Sequence, residues 1–285
     1  MKFNKKIVID SLLGLVLGGG IVYFSFTVMS KELLMKFLPD ESVFENIIFF
    51  TSIFFAPFLS IFLHELGHLL AGIIQGFKTE LFVVGFLGIK RENNELKFYF
   101  NTNVQYFGGV AATSPTKILS DIELKNKYKI ILISGPIISL LFGVLAFTIF
   151  YVFDSAFTSF LGLLAITSFG IFLATTLPEK TGIFFTDRKR FQRLSDKGKI
   201  GQIELAFLQI VNQSLLEGNC KNLSLQNIEK MKSDEEKIVQ FWAYYFEFQY
   251  FKDNNNLEES ENTKSKIYTY KDAIPKSLWK NLQIE

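Results

Sequence analysis

The chain has two histidines, His64 and His68, four residues apart, and Glu65 directly follows the first of them. On an α-helix, residues i and i+4 lie on the same face, so both imidazoles can bind one metal ion. A glutamate beside the first histidine is then placed to act as general base toward a water molecule that the metal activates. The spacing therefore predicts a helical zinc site with His64 and His68 as ligands and Glu65 as the catalytic base.

The residues on both sides of this motif are apolar for many positions. Ionisable groups are costly inside a membrane and are usually functional where they occur there. Three of them within five residues favour a metal site over the plain alternative, a pair of histidines packed in a core. We therefore expect the site to lie inside a membrane or just beneath its surface.

Composition indicates that the chain combines a membrane part with a soluble part. Of 285 residues, 49% are hydrophobic and 20% are charged, which is too apolar for an ordinary globular domain and too charged for a chain entirely within a membrane. The net charge of +2 gives no indication of nucleic-acid binding. The single cysteine, Cys220, excludes an internal disulfide. We predict an α-helical integral membrane protein that also has an all-α soluble C-terminal domain.

Four apolar segments are long enough to cross a bilayer, because a helix of about 20 residues suffices. The second segment is longer than one crossing needs and contains Pro57, which is expected to kink or break it. The four predicted spans are about 7–29, 43–74, 128–153 and 157–177.

The segment between the second and third spans has the pattern of strands. Residues 82–87 and 96–100 are predicted strands, and residues 91–95 are a predicted hairpin turn. A third extended piece is expected at 104–107. Together they predict a β-hairpin or small sheet over about 79–109 at the membrane face. It is either a structural cap or an edge that pairs with an unwound substrate.

Lysine and arginine are concentrated near the N-terminus, in the sheet segment and after the fourth span. By the positive-inside rule both termini are predicted to be cytosolic, which agrees with four crossings. From about residue 191 apolar residues recur at helical spacing. We predict a transmembrane domain at 1–190 and a cytosolic helical domain at 191–285, a candidate for docking a cytosolic partner. Abundant Lys, Asn, Ile and Phe are typical of an AT-rich bacterium, so we expect a bacterial cell membrane.

A catalytic zinc commonly has three protein ligands and one open position. The chain has no third histidine, and Cys220 lies in the predicted soluble part, so a carboxylate on the cytosolic side is the expected third ligand. Asp10, Glu179 and Asp187 all meet this condition. The residues by themselves do not choose among them.

The motif His-Glu-Leu-Gly-His at 64–68, within an apolar span, resembles the site-2 protease family of intramembrane zinc proteases. The order and spacing of further segments extend the resemblance over about residues 43–190. These segments are the Gly-Pro element at 134–139, the aspartate segment at Thr186-Asp187, and the glycine pair of the sheet loop at Phe107, Gly108 and Gly109. The last of them is a candidate region for binding a substrate strand.

The resemblance implies a zinc endopeptidase with one zinc ion per chain, held by His64, His68 and Asp187. It also implies that Glu65 is the general base. Ser139 is a candidate hydrogen-bond donor to the oxyanion that develops on the scissile carbonyl. The expected substrate is a membrane protein or membrane peptide, cut in or next to its transmembrane segment. Such cleavage serves regulated intramembrane proteolysis or the maturation of peptides and signals.

The chain departs from the family pattern at several positions. Ser139 stands where the Gly-Pro element usually ends in Asn, Arg188 stands where the Asp is usually followed by Gly, and the usual Asn-Pro is absent. No inserted PDZ domain is expected, and the C-terminal part does not resemble a CBS domain. These departures motivate an alternative function, a non-proteolytic membrane scaffold or binding protein that retains the protease fold. A zinc transporter is disfavoured, because no relay of acidic residues crosses the spans.

Overall fold

The computed structural model describes residues 31–39, 42–177, 180–181, 184–274, 279 and 282. The first predicted span, about 7–29, lies outside these residues, as do Asp10 and Glu179. The helices are α1 (Lys31–Phe37), α2 (Val43–Ile74), α3 (Asp121–Val152), α4 (Thr158–Thr176), α5 (Asp187–Ser195), α6 (Lys199–Glu217), α7 (Leu225–Lys232), α8 (Lys237–Asp253) and α9 (Leu257–Tyr268). The strands are β1 (Phe77–Val84), β2 (Leu87–Glu92), β3 (Glu95–Phe100), β4 (Val110–Pro115), β5 (Lys180–Thr181) and β6 (Phe184–Phe185).

Within the described residues three helices, α2, α3 and α4, are long and apolar enough to cross a membrane by length and composition. They confirm three of the four predicted spans. Helix α3 begins at Asp121 rather than near residue 128, because Ser120 caps it by accepting a hydrogen bond from the Glu123 backbone N–H at 3.4 Å. Large apolar side chains such as Phe54 and Leu141 are exposed on the outer faces of these helices, as expected where lipid is the solvent.

Helix α2 runs without interruption through Pro57, so the expected break does not occur. The neighbouring Ala56 is fully buried in a cluster with Ala146 of α3 and with Leu164 and Ala165 of α4. Small residues let membrane helices approach closely. This packing holds α2 together where the proline removes a backbone hydrogen bond.

The main sheet has the strand order β3-β2-β1-β4, and every neighbouring pair is antiparallel. The prediction of one strand over 82–87 is wrong, because Gly85 has a positive φ of 55° and forms a turn with Phe86 between β1 and β2. The turn predicted within 91–95 is confirmed, and its two asparagines have φ of 51° and 65°.

The segment after β3 also differs from the prediction. Residues 104–107 are not a strand, since Val104–Tyr106 is a short 3₁₀ helix capped by the Asn103 side chain. The strand that follows, β4, was not predicted and extends the sheet to Pro115. Its first residues are small and only half-buried, so the strand has little of the apolar alternation that sequence patterns detect.

The sheet packs along α2 and reaches past the motif toward the middle of that helix. Phe82 of β1 meets Phe62 edge to face, with ring centroids 5.6 Å apart. The turn at Gly85 lies against Phe58, whose ring would be 3.1 Å from a Cβ at that glycine. Since Phe58 precedes His64 by six residues, this turn lies about 9 Å nearer the N-terminus of α2 than His64.

The C-terminal helices pack on one another and on the membrane part. Two apolar clusters hold α6 to α9 together, one around Ile228 and one around Phe241. A third cluster joins Leu194 of α5 and Leu208 of α6 to Ile131 of α3. Helix α5 crosses the predicted domain boundary at residue 190, and the division into 1–190 and 191–285 stays a prediction.

Candidate metal centre

The predicted motif lies in the later part of α2, and its three polar side chains are buried. His64 and His68 are one helical turn apart, with ring centroids 4.9 Å apart and ring planes nearly perpendicular. Their Nε2 atoms are 3.3 Å from each other. The helix therefore presents two imidazole nitrogens to a single point, as the spacing predicts.

Asp187 is the carboxylate that meets these two histidines. Its Oδ2 atom lies 3.3 Å from Nε2 of His64 and 3.3 Å from Nε2 of His68. Asp187 is the first residue of α5, where the partial positive charge of the helix N-terminus favours an anion. Thr186 caps this helix, and its hydroxyl donates a hydrogen bond to the Leu177 carbonyl at 2.7 Å, tying α5 to the end of α4.

The second nitrogen of each histidine already has a partner. Nδ1 of His68 donates to the Ile131 carbonyl at 2.7 Å, and Nδ1 of His64 lies 2.9 Å from the Ser139 hydroxyl. Such partners fix the ring orientation and leave the Nε2 lone pair free to bind a metal. Two lone pairs and one carboxylate oxygen thus face the same point, which a cation would stabilise.

The distances fit zinc. Tetrahedral ligands with bonds of about 2.0–2.1 Å lie about 3.3 Å from one another, which matches all three separations here. Burial alone would raise the pKa of Asp187, but the adjoining imidazoles outweigh it and hold the pKa below the usual aspartate value. Asp187 is therefore ionised at neutral pH, the form that binds a metal. His64, His68 and Asp187 form a group that could hold a metal ion.

Glu65 lies beside this group and against the start of β4. Its carboxylate accepts a hydrogen bond from the Ala111 backbone N–H. Gly109, with a φ of 94°, passes so close that a Cβ there would be 2.6 Å from Glu65 Oε1. A Cβ on Gly108 would meet nothing within 4 Å in the part of the chain that the structure describes, its chain neighbours apart. Of the predicted substrate-strand residues, Gly109 thus touches the motif, and Phe107 packs instead on Phe86 at 4.8 Å.

The departures from the family pattern have structural counterparts. Ser139 is buried and contacts the His64 ring from the side opposite Nε2, while Arg188 is exposed on α5 and disturbs none of the three metal-binding groups. The predicted oxyanion contact of Ser139 stays a prediction. The contributions of Ile131 and Ala111 carried no sequence signal, because both act through backbone atoms that every residue has.

The helical histidine pair, the carboxylate from a second helix and the adjacent glutamate form a candidate metal centre with the residue types and spacing of a metallopeptidase site. The chain belongs to peptidase family M50, the site-2 protease family, whose family model matches residues 52–282. This is a family of zinc metalloproteases with membrane helices. No curated protein and no solved structure matches the chain.

Proposed function

We propose that this protein is a zinc endopeptidase that hydrolyses a peptide bond in or next to the transmembrane segment of a membrane protein or membrane peptide. The observation that carries the proposal is the triangle of His64, His68 and Asp187, with three sides of 3.3 Å and Glu65 beside it. One zinc ion in that triangle would supply a Lewis acid that polarises the scissile carbonyl and lowers the pKa of water.

Glu65 is the group that moves protons in this proposal. Its carboxylate takes a proton from the attacking water and delivers it to the leaving amine, as a general base and then a general acid. The Ala111 N–H and the close backbone at Gly109 hold the carboxylate in one position. Burial among α2, α3 and the sheet limits water around the site, which strengthens these interactions.

Strand β4 is the proposed docking edge for the substrate. It is the end strand of the sheet, and its N-terminal residues lie against Glu65. A transmembrane helix hides its carbonyls in its own hydrogen bonds, so it must unwind before cleavage. An unwound segment paired along β4 would recover backbone hydrogen bonds while its scissile bond lies near Glu65. The proposed edge for substrate pairing is thus β4 rather than the predicted hairpin within 79–109.

The setting of the reaction follows from charge. Since Lys and Arg are concentrated after the fourth span, we propose that both termini and the α5–α9 helices are cytosolic. The abundance of Lys, Asn, Ile and Phe supports a bacterial cell membrane as the location. The exposed surfaces of α6 to α9 are then available to a cytosolic partner.

Zinc content and one isosteric substitution test the function. Detergent-purified wild type should contain about one zinc ion per chain, and Asp187→Ala should lose it. In a deletion strain, Glu65→Gln should keep its zinc but leave membrane substrates uncut. These substrates are identified as the membrane proteins that show new peptide termini with wild type but not in the deletion strain. Glu95→Gln, an exposed glutamate at the start of β3, is the matched control and should behave as wild type.

Two results would contradict the proposal. If wild type bound no zinc after reconstitution, the chain would share the fold of the family but would have no metal centre. Full restoration of the deletion phenotype by Glu65→Gln would favour the alternative, a scaffold or binding protein that keeps the protease fold.

A further inference from the structure

Helix α5 carries a metal-binding group at one end and a buried ionic cluster at the other. Asp187 is its first residue, and Arg190 and Arg193 follow one and nearly two turns later. The helix has nine residues, so a small tilt or rotation at its second half displaces Asp187 directly.

The cluster around Arg193 joins three helical elements. Its Nε donates to Glu204 Oε2 of α6 at 2.8 Å, and its Nη2 pairs with Oδ2 of Asp234, which follows α7. All three side chains are at most 6% exposed. Arg190 adds a second contact to Glu204, with Nη2 3.0 Å from Oε1.

Two further contacts restrict the Arg193 side chain and the helix that carries it. Its guanidinium lies over the Phe185 ring, 4.8 Å from the centroid, just before the start of α5. The next residue, Leu194, is fully buried in the apolar cluster that includes Leu208 of α6 and Ile131 of α3. Ile131 is also the residue whose carbonyl orients His68.

The geometry of the cluster makes it sensitive to any change in α6 or α7. A guanidinium binds two carboxylates through a rigid planar fork, so direction as well as charge is fixed. Removing one partner of a buried ion pair leaves an uncompensated charge, and the remaining groups must move toward water. Such a movement would turn α5, whose other contacts among the described residues include the Thr186 cap, the buried Leu194 and Phe191, whose ring centroid lies 5.7 Å from Lys129 Nζ.

We propose that Arg193 is a positioning residue for Asp187, and that Glu204 and Asp234 complete the metal site from the C-terminal helices. The statement rests on the proposed function, because it takes Asp187 as the third zinc ligand. The helices after α5 then form part of the metal centre rather than an appended module. A partner that displaces α6 or α7 would weaken zinc binding without touching a ligand.

The test measures zinc affinity of the full-length chain in detergent for wild type, Glu204→Gln and Arg193→Gln. Glu204→Gln preserves shape and the Arg193–Asp234 pair, so it remains informative if Arg193→Gln fails to fold. Each variant should bind zinc about 10- to 100-fold more weakly than wild type, the range found when groups that orient metal ligands are lost. The Co²⁺-substituted variants should also show a shifted and weakened d–d absorption, because the ligand geometry has changed.

The matched control is Ile267→Ala, which removes a fully buried side chain from the cluster around Phe241. It destabilises the C-terminal helices without touching α5, so its zinc affinity should stay at the wild-type level.

The outcomes separate the two proposals. Wild type that binds no zinc would refute the metal centre itself. Zinc in wild type, with unchanged affinity and Co²⁺ spectrum in Glu204→Gln and Arg193→Gln, would refute only the positioning role. An equal loss in Ile267→Ala would also overturn it, since general loosening of the C-terminal helices would then explain the effect.

Discussion

Gly135 of α3 lies directly against the imidazole of His68, and a Cβ at this position would collide with Nε2, the atom that faces Asp187. Steric crowding against His68 therefore explains why the Gly-Pro element has a glycine at this position. Only a residue without a side chain lets α3 approach α2 closely enough for Ile131 to orient His68.

Gly135→Ala should consequently disrupt the metal centre. The added methyl must push the His68 ring aside, so zinc affinity should fall by at least about 10-fold and the fold should lose about 1–3 kcal/mol of stability. Metal analysis and thermal unfolding in detergent measure both effects. Gly170→Ala on α4 should change neither, because the new methyl would meet no atom within 4 Å from the described residues beyond its own stretch of helix. Wild-type zinc affinity in Gly135→Ala would contradict the steric explanation.

The neighbouring glycines 108 and 109 should differ sharply in their tolerance of a methyl group. Gly109→Ala would place a Cβ 2.6 Å from Glu65 Oε1 at a φ of 94°, so it should displace the base and reduce cleavage by about 100-fold or more. Zinc should be retained, since none of the three atoms nearest that Cβ belongs to His64 or His68. Gly108→Ala would place its methyl more than 4 Å from every described residue other than its chain neighbours, so it should have a much smaller effect. Equal losses of cleavage in both variants would show that cleavage depends on the flexibility of this loop and not on the contact of Gly109 with Glu65.

The Ser139 hydroxyl should matter for metal binding through its contact with His64 Nδ1. Removing it in Ser139→Ala leaves that nitrogen without its partner, which should weaken zinc binding by about 10- to 100-fold. Ser168→Ala is a matched control, because Ser168 is equally buried in the same bundle but bonds to Ser60 at 3.0 Å. If Ser139→Ala kept full zinc affinity and lost only cleavage, the predicted oxyanion contact would explain Ser139 better.

Cys220 should be inert in the folded protein. Burial is the largest cause that raises the pKa of its thiol, to about 11, and the carboxylates of Asp253 and Glu217 add to this effect. Compared with an unperturbed thiol of pKa 9.0, the thiolate fraction at pH 8 falls by about 100-fold. Alkylation at pH 8 should therefore be about 100-fold slower in the native protein than in urea. Rapid alkylation of native protein would show that the loop around Cys220 opens.

The raised pKa of Cys220 also predicts a pH dependence of stability. Because the folded state favours the protonated thiol, the contribution of Cys220 to the free energy of unfolding is present below pH 9 and is lost toward pH 11.

Local patterns of the sequence were sufficient for the helical elements of the site. The i, i+4 spacing placed His64 and His68 on one face, and long apolar runs located α2, α3 and α4, because a membrane span depends mainly on length and hydropathy. The start of α3 was missed by several residues, since its first two turns are polar and extend out of the apolar run.

The sheet was harder to predict than the helices. Gly85 and Phe86 interrupt what reads as one apolar strand, and the tertiary contact with Phe58 favours a turn there. Strand β4 has small residues whose pairing with β1 depends on partners distant in sequence. Short strands carry little periodic signal of their own, so their pairing decides where they form.

The sequence alone predicted the chemistry from two histidines and a glutamate at metal-site spacing in an apolar span, with a carboxylate still required. Only the tertiary structure brought Asp187 to the Nε2 atoms of both histidines, Ser139 to the other side of His64, and Arg193 to Glu204 and Asp234. The physical reason is separation along the chain. Spacing within one helix follows from backbone geometry, whereas a contact between residues far apart in sequence exists only after α2, α3, α5 and α6 have packed together.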